Sequence, residues 1–127
     1  SFSELAREAR DVQRWNRLHP AQPPRRSHLD DCLPGTAPVV AATDYVAAYP
    51  QLIAAQVAAP FVALGTDGFG RSDTRAALRR FFEVDRHHVV VAALRALQQQ
   101  GSVAAECVES AIERYGLARD VAPPWDR

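Results

Sequence analysis

No lysine and no methionine occur among the 127 residues. The 15 basic residues are all arginine, and 15 acidic residues balance them. A net charge of zero gives no electrostatic case for binding nucleic acid or an anionic membrane. Arginine in place of lysine, beside abundant alanine, points to a GC-rich coding bias more than to chemistry. Without methionine, residue 1 is expected to lie inside a longer polypeptide or behind a removed initiator. Two cysteines, Cys32 and Cys107, are too few and too far apart for a disulfide framework. Cys107 falls in a helical pattern and is expected to be a small buried or half-buried residue. These thiols suggest a reducing, cytoplasmic setting. No apolar run nears the roughly 18 residues of a membrane-spanning helix, and no leader sequence is apparent.

What remains is the material of one domain, 1–127, with 47% hydrophobic residues. From Ser3 to about Leu18, Leu5, Ala9, Val12 and Trp15 recur on one helical face, with Ser1 or Ser3 as N-cap. Pro20, Pro23 and Pro24 end that helix. Residues 21–36 form an irregular connection, with room for one helical turn at His28–Leu33. Ala37–Thr43 is apolar on both faces and reads as a buried strand. Asp44 can cap a helix running to about Ala58, although Pro50 interrupts its pattern. Phe61–Leu64 reads as a second strand. Three helices are expected beyond it: one carrying Leu78, Phe81 and Phe82, a largely buried one over about Arg86–Gln100, and one capped by Ser102 and closed by Gly116. The tail, 117–127, reads as irregular. Strands alternating with helices indicate an α/β fold with a mostly parallel sheet flanked by helices.

The segment Gly65-Thr66-Asp67-Gly68-Phe69-Gly70-Arg71-Ser72-Asp73 is the most informative. It joins a strand to a helix, with three glycines in six residues, so the backbone turns sharply and packs closely. Ser72 or Asp73 can cap the helix that follows. Open α/β sheets place function at such strand ends. The loop could hold an anion, with Arg71 as the charge, but its spacing fits neither a dinucleotide fingerprint nor a P-loop. The plainer reading is a tight turn packed against a neighbouring domain. Asp67, Asp73, Glu83 and Asp85 lie among Arg71, Arg75, Arg79 and Arg80, which favours ion pairs over a catalytic acid with a raised pKa. His87 and His88 are adjacent on a helix and diverge, so they are poorly placed to chelate one ion; one of them is expected to be exposed. His19, in Arg14-Trp15-Asn16-Arg17-Leu18-His19-Pro20, more simply packs and caps, and is kept as a candidate for a functional cleft.

Several of these stretches carry a resemblance. Gly65–Asp73, Phe82-Glu83-Val84-Asp85 and Val89–Leu94, with Arg14–Pro20 and Pro38–Tyr45 upstream, resemble the C-terminal domain of transketolase-like, thiamine-diphosphate-dependent enzymes. Within them the chain is similar to the homodimeric bacterial pyruvate dehydrogenases; the Arg14–Pro20 element is not expected in true transketolases. The likeness is collinear over nearly the whole chain and strongest from Thr43 to Leu97. At position 88 the family pattern would place an aromatic residue such as tyrosine, where this chain has His88. The resemblance implies an enzyme that decarboxylates pyruvate on thiamine diphosphate with magnesium and passes the acetyl group to the lipoyl group of a dihydrolipoyl acetyltransferase. It implies that the cofactor sits in preceding domains of the same polypeptide. No catalytic, cofactor-binding or metal residue then carries over to this chain, whose part would be packing and dimer geometry. It also implies that the first strand-helix unit of the domain precedes Ser1. The other reading in play is a non-catalytic regulatory or anion-binding interaction module.

Overall fold

A computed structural model describes residues 1–127 as six helices and a small parallel sheet. Helix α1 (Phe2–Leu18) starts at Ser1, whose hydroxyl accepts from the N–H of Glu4. Ala6 and Ala9 are its buried positions. Their small side chains let α2 (His28–Cys32) approach closely. Ser27 caps α2 reciprocally: its hydroxyl accepts from Asp30 N–H, while the Asp30 carboxylate accepts from Ser27 N–H at 2.8 Å. Ala6, Ala9, Leu29 and Ile53 form the core cluster, with Phe2, Leu5, Leu33, Val57 and Phe61 packed around it.

The connection between α1 and α2 is irregular but clasped. The Asn16 amide donates to the Arg25 carbonyl at 3.0 Å, and its oxygen accepts from Arg25 N–H at 2.8 Å. The Arg25 guanidinium lies 3.8 Å from the centre of the Trp15 ring.

Strand β1 (Val39–Ala42) pairs in parallel with β2 (Phe61–Leu64), Val39 opposite Phe61 and Ala42 opposite Leu64. Both strands are shallower than a fully buried sheet: their residues are half-buried and Ala42 is exposed. The crossover departs from the expected helix. It contains one turn, α3 (Ala48–Gln51), and then a 3₁₀ turn at Ala54–Gln56. Pro50 is the cause. With no N–H at residue 50, the Val46 carbonyl accepts from Tyr49 N–H instead, at 3.0 Å. Tight i→i+3 bonds continue through Ile53 and Gln56. Asp44 caps nothing here; it pairs with Arg79 at 3.3 Å.

Beyond β2 come α4 (Arg75–Phe81), α5 (Arg86–Gln99) and α6 (Ala105–Tyr115). Helix α5 packs on both strands and on α6. It is less buried than its apolar arc suggests: only Ala96 is fully inside, and Val90 is exposed. Gly101 has φ +78°, a left-handed turn that ends α5. Ser102 does not cap α6. The cap position falls at Ala104, which makes no side-chain bond. Gly116 closes α6 in the left-handed conformation, as expected. The tail forms one 3₁₀ turn at Pro124–Asp126. Cys32 and Cys107 are both free and exposed, so Cys107 is not the buried residue its pattern suggested.

Candidate functional site

The loop after β2 is built against the segment that follows β1. Gly65 packs on the backbone of Ala47: a β-carbon there would lie 2.5 Å from Ala47 Cα and 2.8 Å from the Tyr45 carbonyl oxygen. Thr66 then bonds twice, its N–H to the Tyr45 carbonyl at 2.8 Å and its hydroxyl to the Asp44 carbonyl at 2.9 Å. The Asp67 carboxylate accepts from Ala47 N–H at 3.2 Å. Gly65, Thr66 and Asp67 are thus fixed by main-chain chemistry, without ion pairs.

The second half of the loop turns outward. Gly68 has φ +103°, and a β-carbon on it would meet Trp125 Cα at 2.7 Å, so the tail crosses the loop here. Gly68→Ala combines backbone strain with this clash. It is expected to destabilise by about 1–3 kcal/mol and to release the tail, read as faster proteolysis within 117–127. Unchanged cleavage would show that the tail is not held there. Phe69 is 89% exposed. The Arg71 guanidinium lies 3.9 Å from the centre of the Phe81 ring, and that of Arg127 lies 4.9 Å from the same ring. Arg127 also donates to Glu83 at 3.0 Å and to the Phe81 carbonyl at 3.3 Å. Ser72 is exposed. Neither Ser72 nor Asp73 is the helix cap: Thr74 is, its hydroxyl accepting from Ala77 N–H at 3.3 Å. Asp73 accepts from Thr74 N–H at 2.7 Å and so steadies the cap.

A cleft of about 620 Å³ opens between this loop, residues 44–46 and α4. Arg71, Arg75 and Arg79 line it together with Tyr45, Val46 and Phe69. Arg75 and Arg79 share a face because they are four residues apart on a helix; the sequence alone could have yielded that pair. Trp125 was illegible, because nothing in an irregular tail says where it lands.

The acids and arginines do form ion pairs, but beside the loop. Arg79 meets Asp44, and Arg80 meets Asp85 at 3.4 Å. His87 and His88 are both half-buried, contrary to the expectation that one would be exposed. His88 donates from Nδ1 to Asp85 at 2.7 Å, while His87 stacks on Tyr115 with ring centres 4.5 Å apart. His19 closes α1: its Nδ1–H donates to the Trp15 carbonyl at 2.8 Å and its ring stacks on Trp15 at 4.3 Å.

The side chains assemble no protein ligand set for the magnesium that accompanies thiamine diphosphate. No three His, Cys, Asp or Glu side chains converge as a ligand set. The loop carboxylates, Asp67 and Asp73, accept from backbone N–H groups.

Residues 1–85 match the family model for the transketolase-like C-terminal domain. The chain belongs to that family. It is 49% identical to the pyruvate dehydrogenase E1 component of Pseudomonas aeruginosa, over 99% of this chain and 14% of that protein. It is 52% identical to that of Cupriavidus necator, over 92% of this chain and 13% of the relative. With the Escherichia coli enzyme it shares 43%, over 98% of this chain and 14% of the other. The chain therefore spans about one seventh of the length of these relatives. The two parallel strands with helices agree with the α/β class expected from the alternation of elements. No helix is long and apolar enough to cross a membrane.

Proposed function

We propose that this chain is the C-terminal domain of a homodimeric, cytoplasmic pyruvate dehydrogenase that decarboxylates pyruvate and delivers the acetyl group to the lipoyl group of a dihydrolipoyl acetyltransferase. The supporting observation is the collinear 49% identity to a pyruvate dehydrogenase E1 component over 99% of the chain. Thiamine diphosphate with magnesium, held by the other domains, supplies the electron sink that decarboxylation of a 2-oxo acid requires. The part of this chain is structural. Bonds from Thr66 and to Asp67 hold the base of the Gly65–Asp73 loop, and the loop presents Phe69 and Arg71 to a neighbouring domain or subunit. His19 braces the end of α1 by stacking on Trp15.

Two measurements test this. The whole polypeptide should release carbon dioxide from pyruvate and acetylate a lipoyl domain when supplied with thiamine diphosphate and magnesium. The 127-residue chain should do neither, and calorimetry should detect no cofactor binding to it. Micromolar cofactor affinity in the chain alone, or a whole polypeptide inert toward pyruvate, would overturn the proposal.

A further inference from the structure

The cleft at the Gly65–Asp73 loop concentrates features that a free surface seldom keeps together. Eight large hydrophobic residues of the chain are exposed, and four of them, Tyr45, Val46, Phe69 and Trp125, are grouped about this loop. Phe69 stands two residues beyond Asp67, where backbone bonds fix the base of the loop. Exposed aromatic residues beside arginines are the composition of a protein–protein contact centre.

Charge decides the chemistry of the occupant. Arg71 rests on the Phe81 ring, a contact that leaves its N–H edges available. Arg75 is exposed and takes part in none of the ion pairs of the chain. Of the nearby acids, Asp44 is shared with Arg79 and Asp73 accepts from the backbone of Thr74. The balance of the cleft is positive, and arginine favours bidentate carboxylate partners.

We propose that this cleft docks a carboxylate-bearing segment of the same polypeptide, an Asp or Glu flanked by apolar residues, with the acid on Arg71 and Arg75 and the apolar neighbours against Phe69 and Tyr45. A second copy of this face is a poor occupant, because both faces would carry the same excess of arginine over acid. A segment of the same polypeptide is favoured because the chain accounts for only 14% of the length of its relatives, and tethering raises the effective concentration of an intramolecular partner. The inference rests on the reading of this chain as one domain of a longer polypeptide.

These 127 residues hold no lysine, so an introduced one is the only side-chain amine in this part of the polypeptide. Arg71→Lys and Arg75→Lys, made separately in the whole polypeptide, each place one side-chain amine in the cleft. A carbodiimide then joins that amine to any carboxylate in contact with it. The expected product is a cross-link from position 71 or 75 to an Asp or Glu outside these 127 residues, within one polypeptide when labelled and unlabelled copies are mixed. Hybrid cross-links between copies would overturn the proposal, as would cross-links confined to Asp44 and Asp73 or none at either position. Pyruvate decarboxylation, assayed on the unmodified polypeptide, stands apart from this outcome. An active enzyme without the cross-link sinks the docking alone, and an inactive one with the cross-link sinks only the proposed function.

Discussion

Gly65→Ala should destabilise the fold by about 3 kcal/mol or more, lowering the melting temperature by roughly 10 °C. The methyl group has nowhere to go. It would lie 2.5 Å from Ala47 Cα and 2.8 Å from the Tyr45 carbonyl oxygen, and both obstacles are backbone. Relief requires the 65–67 segment to part from 44–47. That movement strains three hydrogen bonds at once: Thr66 N–H to Tyr45, the Thr66 hydroxyl to Asp44, and Ala47 N–H to Asp67. Each such bond is worth about 0.5–1.5 kcal/mol net. Gly70→Ala is the control within the same loop. A β-carbon there meets nothing within 4 Å, so its effect should stay within about 0.5 kcal/mol. Thermal melting of both variants beside the parent decides the matter. Equal melting temperatures for Gly65→Ala and the parent would refute the close-packing role of Gly65.

The contrast between these glycines shows where reading the sequence stops. Three glycines between a strand and a helix announce a tight turn, and the structure has one. Which glycine is sterically required depends on Ala47 and Trp125, respectively 18 and 57 residues away from their glycine partners, and no local pattern holds that information. Helix α1 and its Ser1 cap were legible because apolar spacing and a capping serine are both local. The helix expected over 44–58 failed because the missing N–H of Pro50 outweighed an otherwise permissive stretch. The caps expected at Ser72 or Asp73, and at Ser102, failed for a different reason. Before α4 three polar residues stand in a row, and chain direction set by tertiary packing selects Thr74; before α6 the cap position falls two residues beyond Ser102, at Ala104, which cannot cap. The cleft was half legible. Arg71 and Phe69 lie in the loop itself, but Tyr45, Val46 and Trp125 reach it only through the crossover and the tail.

The second large effect is expected at Asp85, which ties three helices together. Its Oδ1 accepts from the N–H groups of His87 and His88, both at 3.0 Å, and caps α5. The same oxygen accepts from His88 Nδ1 at 2.7 Å. Its Oδ2 faces Arg80 at 3.4 Å and His87 Nδ1 at 3.7 Å. Arg80 in turn donates to the carbonyls of Tyr115 and Gly116, at 2.9 and 2.8 Å, where α6 ends. Loss of an N-cap costs about 0.5–2 kcal/mol, and a half-buried Arg80 left without its acid adds to that. Asp85→Ala should therefore cost about 2–3 kcal/mol. Asp85→Asn keeps a capping oxygen and removes only the charge, so it should cost about 1 kcal/mol. Acid separates the two contributions. Burial pushes the Asp85 pKa up, but hydrogen bonds from the His88 N–H and ring, the charge of that ring and the bond from Arg80 outweigh it, and the pKa lies below its ordinary 3.8. A carboxylate with a lowered folded-state pKa stabilises above its unfolded pKa and loses that contribution as pH falls through the folded value. The stability gap between the parent and Asp85→Asn should hold from about pH 7 to pH 5 as far as Asp85 itself is concerned, and close below about pH 4. Urea unfolding of both proteins across that range measures the gap directly. A gap that is absent at neutral pH, or that persists once acid has protonated the carboxylate, would show that the charge of Asp85 does not hold α4, α5 and α6 together.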